Sequence, residues 1–452
     1  MPLRTVQGFR PRRLPMALAG ALVLAAAAWA LPAALRPAPL RPRPNILLIV
    51  LDTTRADRCS VIGHDRETTP GLAAFAADAT VYTQAWSPAG WTAPAHASLF
   101  TGLRPERHGL WMGHRLFLDE AHTTLAERLA AAGYRTACFT ANPVVSGEFG
   151  LIQGFEHVEG LHGTHAPRPP VAHRAHERLL KWTAGAGGPW FAFVNHMEPH
   201  LPYTPPAQHT ARFLRPGTPA EVVTAMRAFG HPVTLAVCAG SRVLDAVERA
   251  ALSDLYDAEI AGLDAQLTHL FDRLAARGDL DDTVVAVVGD HGENLGERGL
   301  VGHQFSLHRS VLHVPLIVRY PGVVAEGARE DALVRLEDVP PTLLELAGVG
   351  VPRDLDGVSL LRGVVGRVAR AIQGPVADGT AHQLRVAGAG RDVRHLLTGQ
   401  RSVFDGRHHL IQHADGRLEL YDLEADPAET RNLARSHEGV ARRLAASLPR
   451  YD

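Results

Sequence analysis

Two residue types that often carry function are scarce in this chain of 452 residues. Lys181 is the only lysine, so arginine supplies almost all of the positive charge. The three cysteines (Cys59, Cys138 and Cys238) cannot form a disulfide framework, and their odd number leaves at least one thiol unpaired. The net charge of −1 gives no excess of positive charge, which argues against general nucleic-acid binding through a basic face.

Extensive disorder is excluded by an apolar content of 46%. The length suits one large α/β unit with a smaller one, or two to three ordinary domains. Histidine is the residue that stands out, with 25 copies. Such chains often bind metal, but surface histidines are also common. We expect the histidines between residues 162 and 176, and His408 and His409, to be solvated.

The N-terminus carries a segment typical of membrane targeting. Four arginines precede residues 14–35, an uncharged stretch dense in Ala and Leu that is long enough to span a bilayer. It predicts either a retained membrane anchor or a cleaved signal peptide, with residues 28–30 as the cleavage site. In both cases the rest of the chain lies outside the cytoplasm, in the cell envelope or exported. A proline-rich spacer follows.

Short apolar runs then alternate with helical segments. Residues 45–51, NILLIVL, form a continuous β-branched run typical of a buried parallel strand. Residues 250–276 carry apolar side chains at helical spacing. Further strands are predicted at residues 135–140, 190–195, 283–288 and 314–318. The alternation predicts an α/β fold with a large, mostly parallel sheet and helices on both faces.

The pattern changes after about residue 365. Segments at 401–404, 408–413 and 418–423 are short and separated by Asp-Gly or Asp-Pro, which is typical of antiparallel strands. We therefore predict a small C-terminal antiparallel subdomain. The predicted regions are a leader at 1–36, the spacer at 37–44, a main α/β domain at 45–365 and an α+β subdomain at 366–452.

Two predicted strands end in residues that can hold a metal. Asp52 directly follows the first strand, and Asp290 and His291 follow the strand at 283–288. Ligands gather at the carboxyl ends of the strands in open α/β sheets. Two carboxylates and an imidazole make a divalent-metal site there plausible, and Gly289 and Gly292 allow close approach of the backbone.

A third signal lies in residues 91–102, WTAPAHASLFTG. Pro94 suits a first helical turn and Gly102 suits the end of the helix, which places Thr92 at a helix N-terminus. Free N–H groups and the helix dipole favour an anion at that position. A hydroxyl group at an anion site beside a metal can act as a nucleophile, although Thr92 as a simple N-cap is the alternative.

Five motifs resemble the sulfatase family of the alkaline-phosphatase superfamily. They occur in the family's order and spacing over about residues 44–435. The resemblance implies an alkaline-phosphatase-like fold with a catalytic domain over residues 45–365. The motifs are NILLIVLDTTRADRCSVIG at 45–63, WTAPAHASLFTGLRPERHG at 91–109, FVNHMEPHLPY at 193–203, GDHGENLGERGLVGH at 289–303 and LYDLEADPAETRNL at 420–433.

The resemblance also implies roles for the matched positions. Thr92 matches the family's nucleophile, and His200 and His303 match residues that contact the transferred group or the leaving oxygen. The metal ligands that it implies are Asp52, Thr92, Asp290 and His291.

Several positions depart from the family pattern. Sulfatases convert a Cys or Ser nucleophile into formylglycine, and Thr92 cannot be converted because its β-carbon carries a methyl group. His96 replaces the usual arginine of a substrate-binding position, and Thr53 replaces a second aspartate. Asn142 lies near the position of an absent lysine and is a further substrate-binding candidate. The resulting ligand set favours zinc or manganese over calcium, which stays an alternative.

These observations predict a metal-dependent hydrolase or transferase of sulfate or phosphate esters. Thr92 favours phosphoryl chemistry because it excludes formylglycine, and at most one membrane span favours a hydrolase. The substrate is then a small-molecule, glycan or lipid ester, and the membrane is reached through the N-terminal segment. The alternative is a non-catalytic, membrane-tethered binding module on a sulfatase fold, which the changes at Thr53 and His96 favour. The oligomeric state is not predicted.

Overall fold

The computed structural model describes residues 43–161 and 171–450. The predicted leader and most of the spacer lie outside these residues, as do the histidines at positions 162 and 165. Residues 44–452 group into one compact unit, which is the part described below. Among the described residues, no helix combines the length and the apolar character that crossing a bilayer requires.

The described strands fall into three sheets. In chain order they are β1 (Asn45–Leu51), β2 (Thr80–Trp86), β3 (Arg135–Thr140), β4 (His157–Gly160), β5 (Trp190–His196), β6 (Thr283–Val288), β7 (Asn294–Leu295), β8 (Val301–Gly302), β9 (His313–Arg319), β10 (Ala328–Arg335), β11 (Ala369–Gln373), β12 (Gln400–Phe404), β13 (His408–His413) and β14 (Leu418–Asp422).

The α-helices connect and cover these strands. In chain order they are α1 (Pro70–Phe75), α2 (Thr92–Thr101), α3 (Pro105–His108), α4 (Leu125–Ala131), α5 (Val171–Ala184), α6 (Ala207–Phe213), α7 (Ala220–Arg227), α8 (His231–Cys238), α9 (Ala246–Ala276), α10 (Arg309–Leu312), α11 (Val339–Leu346), α12 (Asp378–Ala387), α13 (Arg394–Leu397) and α14 (Glu438–Ala445).

The large sheet confirms the predicted architecture. Its eight described strands run in the order β10-β2-β9-β6-β1-β5-β3-β4. Strand β9 is antiparallel to both of its neighbours, and every other pairing in the sheet is parallel. The four C-terminal strands form a separate antiparallel sheet in the order β11-β12-β13-β14, as predicted.

The sheet is buried on both faces, which explains the continuous apolar run of β1. Ile46, Leu48 and Val50 belong to the hydrophobic core on one side of the sheet, and Leu47 and Ile49 belong to the core on the other. Side chains alternate between the two faces of a strand, so a central strand needs an apolar residue at every position. Helices α2, α4 and α11 cover the first face, and α1, α5 and α9 cover the second.

Two expectations about histidines were wrong. His176 lies on α5 and is buried, with its Nε2 3.2 Å from Nε2 of His196. His409 on β13 is fully buried, and its Nδ1 lies 2.6 Å from Oε1 of Glu429. In both cases a polar side chain distant in sequence contacts a ring nitrogen, which offsets the cost of burying the imidazole.

Candidate active site

The predicted metal ligands meet at the carboxyl ends of two central strands of the large sheet. Strands β1 and β6 are parallel neighbours, with Val50 opposite Val288, so the residues that follow them emerge side by side. Asp52, Asp290 and His291 each offer one ligand atom, and these atoms lie within 4.8 Å of one another. All three side chains are fully buried. The structure therefore brings together three of the residues that the sequence predicted.

Two glycines permit this close approach, as their positions in the motif suggested. A Cβ atom on Gly289 would lie 2.8 Å from the carbonyl oxygen of Thr54. A Cβ atom on Gly292 would lie 2.2 Å from the carbonyl oxygen of Ser310. Both are backbone contacts that a side chain could not relieve, so the loop after β6 requires glycine at these positions.

The donor set fits a divalent cation. Among the described residues, nothing donates a hydrogen bond to Oδ1 of Asp52 or Oδ2 of Asp290, although both atoms are buried. Nδ1 of His291 donates to the carbonyl oxygen of Gly292 at 3.1 Å, which leaves Nε2 as an acceptor. That Nε2 lies 3.3 Å from Oδ2 of Asp290 and 3.9 Å from Oδ1 of Asp52. Two carboxylate oxygens and one imidazole nitrogen thus lie close enough together to bind one divalent cation.

The electrostatics of the pair point the same way. Burial and the nearby charge of Asp52 raise the pKa of Asp290 well above its usual range. Burial would also raise the pKa of Asp52, but His291 and further histidines outweigh it and lower that pKa. Burial, together with neighbouring His303, lowers the pKa of His291 well below its usual range. Two carboxylates this close are costly to bury without a cation.

Thr92 lies beside this cluster, at the position predicted for a nucleophile. It is the first residue of α2 and follows the extended residue Trp91. Its Oγ1 is 3.4 Å from Nε2 of His291 and 3.3 Å from Nδ2 of Asn142. The same Nδ2 of Asn142 is 2.6 Å from Oδ2 of Asp52. Asn142 therefore joins the first carboxylate to the hydroxyl group.

His96 lies behind Thr92, one helical turn along α2. Its Nδ1 donates to the carbonyl oxygen of Thr92 at 2.9 Å and lies 3.5 Å from Oδ2 of Asp290. The ring packs edge-on against Phe100 and Phe193. Burial lowers the pKa of His96, so it does not supply the fixed positive charge of an arginine.

His200 and His303 lie on the more open side of the cluster. Their ring centroids are 5.3 Å apart, and the His303 ring is 4.5 Å from that of His291. Nδ1 of His200 donates to the carbonyl oxygen of Leu201 at 2.7 Å. Both side chains are partly exposed, in contrast to the buried metal-ligand candidates.

Glu293 is a residue of the site that sequence reasoning missed. Its Oε1 lies 3.0 Å from Nδ1 of His303, and its Oε2 accepts the hydroxyl proton of Tyr203 at 2.5 Å. The side chain is fully buried. The available signal was its place in the run Asp290-His291-Gly292-Glu293, two residues after the histidine.

Thr53 helps to hold the cluster with its backbone. It has a left-handed φ of 55°, which is uncommon for a β-branched residue. Its N–H donates to Oδ1 of Asp290 at 3.2 Å, and its carbonyl oxygen accepts the hydroxyl proton of Tyr256 at 2.6 Å. Its own hydroxyl group donates to the carbonyl oxygen of Asp52. The residue that replaces the family's second aspartate is therefore a backbone support for Asp290.

Models of known families match most of the chain. The sulfatase model matches residues 44–349, and a model described as the C-terminal part of N-sulphoglucosamine sulphohydrolase matches residues 296–450. The chain belongs to the sulfatase family. It is thereby a member of the alkaline-phosphatase superfamily of hydrolases, in agreement with the motifs in the sequence.

Individual relatives of this sulfatase-family protein are named for different activities. The multifunctional alkaline phosphatase superfamily protein PehA of Trinickia caryophylli is 26% identical over 400 residues, covering 71% of this chain and 76% of the relative. Arylsulfatase K of Gallus gallus is 26% identical over 465 residues, covering 93% and 84%. The phosphonate monoester hydrolase of Agrobacterium radiobacter shares the fold, with a TM-score of 0.70 at 23% identity over 90% of this chain and 94% of that one.

Proposed function

We propose that this protein is a metal-dependent hydrolase in which Thr92 is the nucleophile toward an ester of a tetrahedral acid. The observation that carries the proposal is the position of the Thr92 hydroxyl group. It lies at a helix N-terminus, 3.4 Å from Nε2 of His291, beside two carboxylates that each have a buried oxygen with no hydrogen bond from the described residues. The alternative role of Thr92 as a simple N-cap is wrong, because Trp91 is the N-cap residue of α2 and Thr92 is the first helical residue.

Asp52, Asp290 and His291 would hold the metal, with Thr92 as a fourth ligand. When bound, a divalent metal promotes ionisation of the hydroxyl group and offsets the charge of the tetrahedral anion. Zinc or manganese suits the mixed set of oxygen and nitrogen donors better than calcium, which prefers oxygen atoms alone.

The side chains around the cluster account for the remaining chemistry. Oγ1 of Thr92 forms a bond to the tetrahedral centre while the bond from that centre to the leaving oxygen breaks. The electron pair of the broken bond stays on the leaving oxygen. The proton that Thr92 gives up is balanced by the proton that the leaving oxygen takes from His200 or His303. Water then cleaves the covalent intermediate, and Thr92 recovers its proton. Asn142 and the first turn of α2 orient the reacting hydroxyl group.

Phosphorus esters fit this site better than sulfate esters. Threonine cannot become formylglycine, so the covalent intermediate has to be released by direct attack of water. The described residues that line the two cavities beside His303 include no lysine or arginine, which favours singly charged phosphodiesters, phosphonate monoesters or sulfate esters over doubly charged phosphate monoesters. Relatives named as phosphonate monoester hydrolase and as a multifunctional superfamily protein support this choice, and relatives named as sulfatases keep sulfate esters as the alternative.

We also propose that the protein acts outside the cytoplasm. The support is the apolar segment at residues 14–35 behind four arginines. After export, the segment would either stay as a membrane anchor or be cleaved as a signal peptide.

Three measurements on the purified protein test the proposed chemistry. Bound metal is quantified, and turnover of 4-nitrophenyl sulfate, phosphate, phenylphosphonate and a phosphate diester is compared. We expect Thr92→Ala to lower turnover by at least about 10³-fold. Thr101→Ala, on the same helix and equally buried, is the matched control and is expected to keep turnover within a few-fold. Full activity of Thr92→Ala would overturn the mechanism, and stoichiometric metal without turnover of any ester would favour the binding-module alternative.

A further inference from the structure

Two cavities of equal size meet at His303 and Gln304. Each has a volume of about 90 Å³, and both of these residues line both cavities. One water needs about 10–15 Å³ on this measure, so each cavity has room for a group the size of a short alkyl chain or one ring. Since His303 lies 4.5 Å from His291 between ring centroids, both cavities open beside the proposed metal cluster.

The first cavity is rich in groups that can exchange protons. His200, His231, Thr234 and Glu293 line it together with His303, and Oε1 of Glu293 lies 3.0 Å from Nδ1 of His303. An oxygen that leaves a tetrahedral centre needs a proton from such a neighbour. We name this the leaving-group cavity.

The second cavity is apolar with a few polar atoms. Trp91, Met112, Phe305 and Val376 line it, and His303 is the one titratable group among its described lining residues. Among the described residues, nothing bonds to the buried indole Nε1 of Trp91 or the buried Oε1 of Gln304. A group that stays attached to the tetrahedral centre needs no proton, so this lining suits a retained substituent. We name it the retained-group cavity.

One wall of the retained-group cavity comes from the segment at residues 373–380. The start of this segment packs closely against Met112, because a Cβ atom on Gly374 would lie 1.3 Å from the carbonyl oxygen of Met112. The side chain of Gln373 also donates to the carbonyl oxygen of Gln304. The cavity is therefore a built part of the fold.

We propose that the natural substrate carries two organic groups on its tetrahedral centre, as a phosphodiester or a phosphonate monoester does. This inference rests on the proposed function. A sulfate or phosphate monoester has one organic group and would fill one cavity only, whereas a phosphorus centre with two groups fills both and keeps a single negative charge. The bond from phosphorus to the leaving oxygen breaks, and the bond to the retained group stays intact throughout.

The test compares two substrates with the same leaving group in the full chain. The ratio of kcat/KM for 4-nitrophenyl ethylphosphonate to that for 4-nitrophenyl sulfate depends on the retained group and on the central atom, and the change of this ratio in a cavity variant isolates the retained group. We expect a ratio above about ten in the wild type, and Val376→Trp to lower the ratio by about tenfold or more, because it fills the retained-group cavity. Thr380→Phe, at the same wall, is the second variant if Val376→Trp does not fold.

Two controls separate the possible outcomes. Val386→Trp makes the same substitution at an exposed position of α12 and is expected to keep the ratio within about twofold. Thr234→Trp, in the leaving-group cavity, is expected to slow both substrates and leave their ratio unchanged. Turnover of both substrates with a ratio that Val376→Trp and Thr380→Phe do not change would overturn this inference alone. If the metal-loaded wild type turns over neither substrate, the proposed function fails and the inference fails with it.

Discussion

Two clusters of buried histidines differ in whether the neighbouring carboxylates have hydrogen-bond donors. One cluster lies beside Asp52, and the other lies against the C-terminal sheet. At the edge of the large sheet, the carboxylates of Asp52 and Asp290 each keep one oxygen without a hydrogen bond from the described residues. At the C-terminal sheet, Glu419 on β14 accepts from two imidazoles, and Glu429 in the loop after β14 accepts from a third. The three histidines of that second cluster are His308, His409 and His413.

The comparison indicates that the hydrogen bonding of the neighbouring carboxylates distinguishes histidines in a binding site from histidines that stabilise the fold. The C-terminal cluster matches each glutamate with donors, as a buried polar network needs in order to stabilise a fold. The cluster at the sheet edge is left with acceptors, which is a cost in the protein alone and an advantage when a cation binds. Substitutions that remove one carboxylate should therefore act in opposite directions in the two places.

The largest effect is expected from Asp290→Asn. Without Asp290 the cluster loses a ligand, and turnover should fall by about 10³-fold or more together with the bound metal. In chelator-treated protein the same change should raise the melting temperature, because it removes one of two adjacent buried carboxylates. Metal analysis and thermal unfolding check both parts, and a variant that keeps stoichiometric metal would refute the ligand assignment.

The opposite sign is expected for Glu419→Gln. Glu419 bonds to His308 and His413 and accepts the hydroxyl proton of Tyr421 at 2.8 Å. Its replacement should lower the free energy of unfolding by about 2 kcal/mol, since hydrogen bonds to a charged group are lost. Glu438→Gln, at an exposed position of α14, is the matched control and should change stability little. Denaturant unfolding with unchanged stability for Glu419→Gln would contradict the assignment of a structural role.

The same glutamate should make stability depend on acid. Burial would raise the pKa of Glu419, but its hydrogen bonds to His308 and His413 lower it far below its usual range. A depressed pKa adds stability above the usual value of about 4.3 and loses it as the pH falls further. Unfolding free energy should therefore decline below about pH 4.3, and the decline should be shallower in Glu419→Gln. An equal decline in both proteins would assign the acid sensitivity to other groups.

The smallest effects are expected from two tyrosines, one in each region. Tyr203→Phe removes a hydrogen bond to Glu293 and should lower kcat about tenfold, because Glu293 then holds His303 less firmly. Tyr421→Phe removes a hydrogen bond to Glu419 and should cost about 1 kcal/mol of stability without changing kcat. Parallel kinetics and thermal unfolding of both variants provide the check. A kcat loss in Tyr421→Phe equal to that in Tyr203→Phe would remove the distinction between the regions.

Much of the fold was predictable because central strands are buried on both faces. The apolar runs of β1 and β6 have the bounds that the sequence predicted, and the ends of these strands placed Asp52 and Asp290. Strand β10 was missed because it lies at an edge of the sheet, where Arg329, Glu330 and Asp331 are exposed. A strand with one open edge does not need the apolar pattern that identifies a central strand.

The parts of the site that escaped prediction depend on contacts between distant residues. Tyr203 and Glu293 are 90 positions apart, and no local pattern pairs them. The burial of His409 depends on Glu429, which lies in a later loop. Side chains at strand ends can be predicted from the local sequence pattern, whereas partners that the tertiary fold brings together cannot.

The position of the segment at residues 373–380 has an evolutionary consequence. The motifs with Thr92 and the metal-ligand candidates lie within residues 44–349, which the sulfatase model matches, and this segment lies beyond them. If the retained-group cavity binds substrate as proposed, substitutions at Val376 or Thr380 change which ester is accepted and leave Thr92 and the metal-ligand candidates in place. We therefore expect related proteins to differ in the esters that they accept while they keep the same reacting residues.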